Sequence, residues 1–133
     1  MKKRMNKDEL IKLINTLEIN REEFWVLSSG ALTLRGIYPD AGDLDIAVTD
    51  KGLEELKMNY NLVQKENGWY MISDKIECVC DGDKSKLQYQ PEFLDGIYLQ
   101  NINDYLDYLI NSTREKDKKR IDLVKEYIEN NKL

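Results

Sequence analysis

The chain has 133 residues, 41% hydrophobic and 34% charged, a balance that describes a folded globular protein rather than a disordered one. A net charge of −5 excludes unspecific attraction to nucleic acid over the whole surface, so any such contact must be local. There is no histidine, which excludes a histidine base, a histidine triad and histidine-bound zinc. The two cysteines, Cys78 and Cys80, are poorly spaced for a mutual disulfide on a strand and read as core thiols of a reducing compartment. No run approaches the roughly 20 apolar residues of a membrane span. The segment Met1 to Leu10 turns polar where a secretory leader would be apolar. The expectation is a single cytoplasmic domain over 1–133, away from membranes.

Asn6 to Leu17 reads as a first helix, with Asn6 as cap, Glu9 closing a capping box, and Leu10, Ile11, Leu13, Ile14 and Leu17 as its stripe. Phe24 to Leu27 is wholly apolar and predicts a central strand. Ser29 to Arg35 predicts a short helix, stopped before Gly36 and Pro39. Asp43 to Val48 alternates as a second strand. Thr49 or Asp50 then caps a helix that turns Leu53 and Leu56 inward. Asn59 to Gln64 and Trp69 to Ile72 form a hairpin across Asn67-Gly68. Lys75 to Asp81 alternates again, with Ile76, Cys78 and Cys80 on one side and Glu77, Val79 and Asp81 on the other. Asp81 to Lys86 is a polar loop, and Ile97 to Leu99 reads as a short edge strand. A helical tail from about residue 101 holds Asn103 to Ile110, with Tyr105, Leu106, Leu109 and Ile110 as its apolar face. Ser112 opens a last helix with Glu115 completing a capping box, and Ile121, Val124 and Ile128 form its stripe.

The chemistry concentrates in Trp25 to Asp50. On an alternating strand Asp43 and Asp45 share one face while Leu44, Ile46 and Val48 share the other. Adjacent carboxylates repel unless a cation or hydrogen bonds compensate, which points to a divalent metal. The small-residue turn Ser28-Ser29-Gly30 leads into a helix and offers backbone N–H groups to an anion. The segment Arg114 to Arg120 is a basic patch of five basic and two acidic residues. Against these stand plainer readings. Asp43 and Asp45 could be a solvated acidic edge, and Glu77 a surface residue of an amphipathic strand. The serines could be an ordinary turn, and Arg114, Lys116 and Lys118 to Arg120 a wet helix face. The tyrosines more simply line core or rim than stack on bases.

Ser28-Ser29-Gly30-Ala31-Leu32, then Asp43-Leu44-Asp45, then Arg114-Glu115-Lys116-Asp117, in that order, resembles the nucleotidyltransferase superfamily with the DNA polymerase β-like fold. The pattern looks closest to the small bacterial abortive-infection and toxin–antitoxin type. Ser28 stands where that pattern usually has glycine, and Glu77 where its third acid is commonly aspartate. The resemblance implies an α/β or α+β fold, a mixed sheet with helices mainly on one side and a helical tail over the cleft. It implies that Asp43, Asp45 and Glu77 hold Mg²⁺, or Mn²⁺ in its place. Glu77 would also help deprotonate the acceptor. Ser28, Ser29 and Gly30 would cradle the phosphates of an NTP, with Arg114 and Lys116 neutralising them. The activity implied is transfer of an NMP from an NTP to a hydroxyl of RNA, protein or a small molecule such as an antibiotic. A toxin acting so would be paired with an antitoxin. The alternative is a non-catalytic module that binds a nucleotide or a partner on the same fold.

Overall fold

A computed structural model describes residues 4–131. Helix α1 (Lys7–Asn15) starts at Asn6, whose side chain accepts from the Glu9 N–H while Glu9 reaches back to the Asn6 N–H, the expected capping box. Strand β1 (Phe24–Val26) is buried throughout, and α2 (Ser28–Leu34) follows at once. Then come β2 (Leu44–Thr49) and α3 (Asp50–Asn59), the latter capped by the Thr49 hydroxyl at the Gly52 N–H. The hairpin is shorter than expected, with β3 (Val63–Gln64) exposed and β4 (Tyr70–Met71) half-buried. Strand β5 (Ile76–Gly82) follows, then a 3-10 turn at Lys84–Lys86 within the polar loop, β6 (Glu92–Leu94) and β7 (Ile97–Leu99). Helices α4 (Ile102–Asn111) and α5 (Glu115–Asn130) form the tail.

The strands make one mixed sheet of seven, ordered β3-β4-β5-β2-β1-β7-β6. Strand β2 sits in the middle, antiparallel to β1 and parallel to β5. Its register places Asp45 beside Glu77, Ile46 beside Cys78 and Ala47 beside both Trp25 and Val79. Leu44, Ile46 and Val48 enter the main core with Phe24, Val26, Ile76 and Cys78, and Leu10, Ile14, Ala31, Leu34 and Leu56 from α1, α2 and α3 cover that face. A second cluster joins Leu32 of α2 to Ile102, Tyr105 and Leu109 of α4 and Val124 of α5. Trp25, on the opposite face, is 3% exposed and belongs to neither cluster. Gly30 permits this packing, because a Cβ there would stand 3.1 Å from Val26 Cγ1.

Several expectations need correction. Ile97 to Leu99 is not an edge strand, since β7 lies between β1 and β6, and the edge is β6, which the sequence pattern did not suggest. The β6–β7 turn is Asp95-Gly96, with φ of 52° and 83°, the positive pair of a type I′ hairpin. Glu92 secures the edge: its Oε1 accepts from Arg35 Nη2 at 2.9 Å and from the Ile102 N–H at 2.7 Å, tying β6 to α2 and α4. The Ser112 capping box does not form. Helix α5 begins three residues later, with Arg114 at its cap and no side chain accepting there. Ile110 is 54% exposed rather than part of the apolar face of α4.

Cys78 is buried and Cys80 half-buried, both free, as expected of core thiols. Burial, then the neighbouring Cys80, pushes the Cys78 thiol up to about 11. Among the described residues no helix is long and apolar enough to cross a membrane.

The position of β7 can be measured. Leu99 is fully buried and its strand is paired on both sides, so Leu99→Ala should cost about 2–5 kcal/mol in urea unfolding, as in other cores. A loss under about 1 kcal/mol, typical of an exposed position, would place β7 at the edge after all.

Candidate functional site

The turn after β1 sets the first wall. Leu27 still bonds to the sheet, its N–H donating to Asp45 O at 2.8 Å. The chain then bends at Ser28, where φ is 52°, a left-handed backbone that glycine adopts freely and serine does not. This is the position at which serine replaces the glycine of the resembling pattern. The bend is held from outside, with the Ser28 N–H donating to Gln100 Oε1 at 3.1 Å and Gln100 Nε2 donating to Asp104 Oδ2 at 2.9 Å. Ser28 and Ser29 are thereby presented to a pocket of about 320 Å³. Gly30 is buried beneath them, and its place in the structure is the close contact of α2 with β1.

Asp43 and Asp45 line the same pocket, both half-buried. Alternation of β2 gives Asp45 this side, because Leu44 and Ile46 hold the other face in the core. Asp43 lies just before the strand. The segment leading to it is fixed by a bridge between Met5 and Ala41, whose N–H groups donate to each other's carbonyls at 2.8 and 2.9 Å. That bridge also brings Arg4 to the pocket, where its Nε pairs with Asp40 Oδ1 at 2.5 Å.

Helices α4 and α5 supply the opposing wall: Tyr105, Tyr108, Arg114, Lys116 and Arg120. Its keystone is Asp117, fully buried, whose Oδ2 accepts from Arg114 Nε and from Ser112 Oγ, both at 2.7 Å. The Ser112 hydroxyl is thus spent on Asp117 and accepts from the Arg114 N–H, which explains why it caps nothing at Glu115. Burial alone would push the Asp117 carboxyl up. The hydrogen bonds from Arg114 and Ser112, with the charges of Arg114 and Arg120, outweigh it and hold the group below the usual carboxylate range. Arg120 is no wet surface residue: its Nε donates to Tyr38 Oη at 3.0 Å and its Nη1 to Tyr105 Oη at 2.9 Å.

Of the residues singled out in the sequence, Ser28, Ser29, Asp43, Asp45, Arg114 and Lys116 converge on this pocket. Gly30 and Glu77 do not line it. Glu77 stands beside Asp45 in register, on the same face of the sheet, but its Oε1 is 2.5 Å from Lys65 Nζ on the neighbouring hairpin. Among the described residues no three acidic or cysteine side chains are grouped to hold a metal. The two aspartates still suit one magnesium ion, which takes one or two carboxylates together with phosphate oxygens and water. Sequence reasoning missed Arg4, Tyr105, Tyr108 and Arg120 as pocket residues. The basic run at 114–120 was a signal for Arg120, whereas nothing local marks Arg4. No family model, no curated protein and no solved structure matches this chain.

Two measurements test the site's construction. Ser28→Gly should stabilise the fold by about 0.5–1 kcal/mol, the relief of left-handed strain less the freedom glycine adds to the unfolded chain. Ser28→Ala should bring no such gain, and equal effects of the two variants would show that the bend is unstrained. For Asp117, a folded pKa below the unfolded one means its stabilisation is complete at neutral pH and is lost as pH falls from about 4 through the folded value. The urea midpoint should drop more steeply below about pH 4 in the wild type than in Asp117→Asn, and parallel slopes would show that Asp117 is not ionised in the fold.

Proposed function

We propose that this chain is a magnesium-dependent nucleotidyltransferase that moves an NMP from an NTP to a hydroxyl acceptor. The observation that carries the reading is the composition of one pocket. Two aspartates and two serines from the β1–α2 and β2 segments face Arg114, Lys116 and Arg120 from the last helix across it. Carboxylates alone would repel a triphosphate, and arginines alone would hold it without activating it. The combination fits a phosphate chain carried with a cation.

In this reading Asp43 and Asp45 would hold magnesium, which would supply positive charge against the charge that develops on the phosphate oxygens. Ser28 and Ser29 orient the β and γ phosphates by hydrogen bonds. Arg114, held by Asp117, places its guanidinium against the departing pyrophosphate, and Lys116 adds a point charge. The acceptor hydroxyl oxygen bonds to the α phosphorus as the bond to pyrophosphate breaks. With no histidine in the chain, the hydroxyl proton passes to a carboxylate or to water. Glu77 already accepts from Lys65 at Oε1, a pairing that favours its ionised form and makes it a weaker proton acceptor.

That ion pair favours a second reading, a module that binds a nucleotide and does not turn it over. Incubation with each labelled NTP, Mg²⁺ and candidate acceptors separates the two. The transferase reading expects label on an acceptor with equimolar pyrophosphate, and a loss of more than about 100-fold in Asp43→Asn or Asp45→Asn, beyond what losing only a supporting partner of a metal ligand costs. Saturable NTP binding without pyrophosphate release would favour the module.

A further inference from the structure

Of the two aromatic rings that line the pocket, Tyr105 is buried and Tyr108 is 48% exposed. It is also held in place. One turn earlier on α4, Tyr105 is 3% exposed and stacks on it, with centroids 5.9 Å apart and planes 18° from parallel. Tyr105 is itself fixed by Arg120 at its hydroxyl. The Tyr108 hydroxyl accepts from Arg114 Nη2 at 2.9 Å, the same arginine whose Nε is taken by Asp117. A ring supported beneath and anchored at its tip has already lost its rotamer freedom, so a planar ligand stacking on it meets little entropic opposition.

We propose that Tyr108 is a stacking platform for a nucleobase at the rim of the pocket, an inference that rests on the nucleotide reading above. The pocket wall behind the ring is charged, which suits phosphate and not a base, while the ring is the apolar surface beside it. Tyr108 and the phosphate-facing Arg114 share a hydrogen bond, which sets the ring beside the phosphate wall, while Asp117 anchors Arg114 independently of the ring. A ring reads the π-face common to every base, so selectivity among the four bases is weak. The base belongs either to the bound NTP or to the 3′ end of an acceptor strand.

The experiment measures binding of the four NTPs, inorganic triphosphate and a short ribo-oligonucleotide to the full chain and to Tyr108→Ala and Tyr108→Phe. Because the residue is exposed, circular dichroism should show both variants folded. The wild type should bind NTPs more tightly than triphosphate. Tyr108→Ala should erase roughly 5- to 100-fold of NTP affinity, the usual range for one stacked base, and leave triphosphate unmoved. Tyr108→Phe, which keeps the ring and loses the Arg114 bond, should retain most of the difference. If the oligonucleotide rather than the NTP weakens by that factor, the platform serves the acceptor's base. If Tyr108→Ala moves neither, the platform is refuted. A Tyr108-dependent NTP affinity without any transfer would overturn the transferase and leave the platform standing, while no binding of any of these ligands would overturn both.

Discussion

Strand β2 lies at the middle of the sheet with a partner on each side, and its two faces cannot be exchanged. A slip of one residue would lift Leu44, Ile46 and Val48 out of the main core and drive Asp45 into it. A carboxylate without compensating partners in that core would cost several kcal/mol. The hydrophobic demand of one face thus fixes the chemistry of the other. Glu77 is carried to the same side by the parallel pairing of β5, and Leu27, bonded to Asp45, delivers the serine bend beside it.

The second wall is seated by the apolar cluster that α4 and α5 share with Leu32, and its pocket-facing lip is ordered by charge. Asp117 is buried in the corner between α4 and α5, where a carboxylate is stable only with strong partners. Arg114 and Ser112 provide them, and Arg114 in turn reaches Tyr108. Arg120 extends the network to Tyr38 and Tyr105. The last two helices therefore present cations toward two aspartates, although basic groups are disfavoured at a helix start.

Legibility in the sequence followed locality. The Asn6 and Glu9 capping box lies within four residues and could be read directly, and so could the alternation in β2 and β5. The serine turn, the aspartate pair and the basic start of α5 were recognisable because each is a short local pattern. Strand β6 is not legible from its own three residues, because its pairing depends on β7 across the Asp95-Gly96 turn. Ser112 and Glu115 have ideal capping spacing, yet the buried Asp117 competes for the same hydroxyl. Arg120 looked solvated because its partner Tyr38 lies 82 residues away. Glu77 was correctly placed on the face of Asp45, but no pattern at Glu77 announces the lysine of a neighbouring hairpin that occupies it.

In the proposed function, carboxylates on one wall and guanidinium and ammonium groups on the other bind one ligand jointly, as a nucleotide with its cation. Calorimetric titration of a non-hydrolysable NTP, with magnesium and with a chelator, reads this most directly. The account predicts at least about tenfold tighter binding with magnesium, a gain within the usual range of coupling between two ligands, and its disappearance when Asp43 and Asp45 are both changed to asparagine. Equal affinity with and without the ion, or a gain that survives in the double variant, would contradict it.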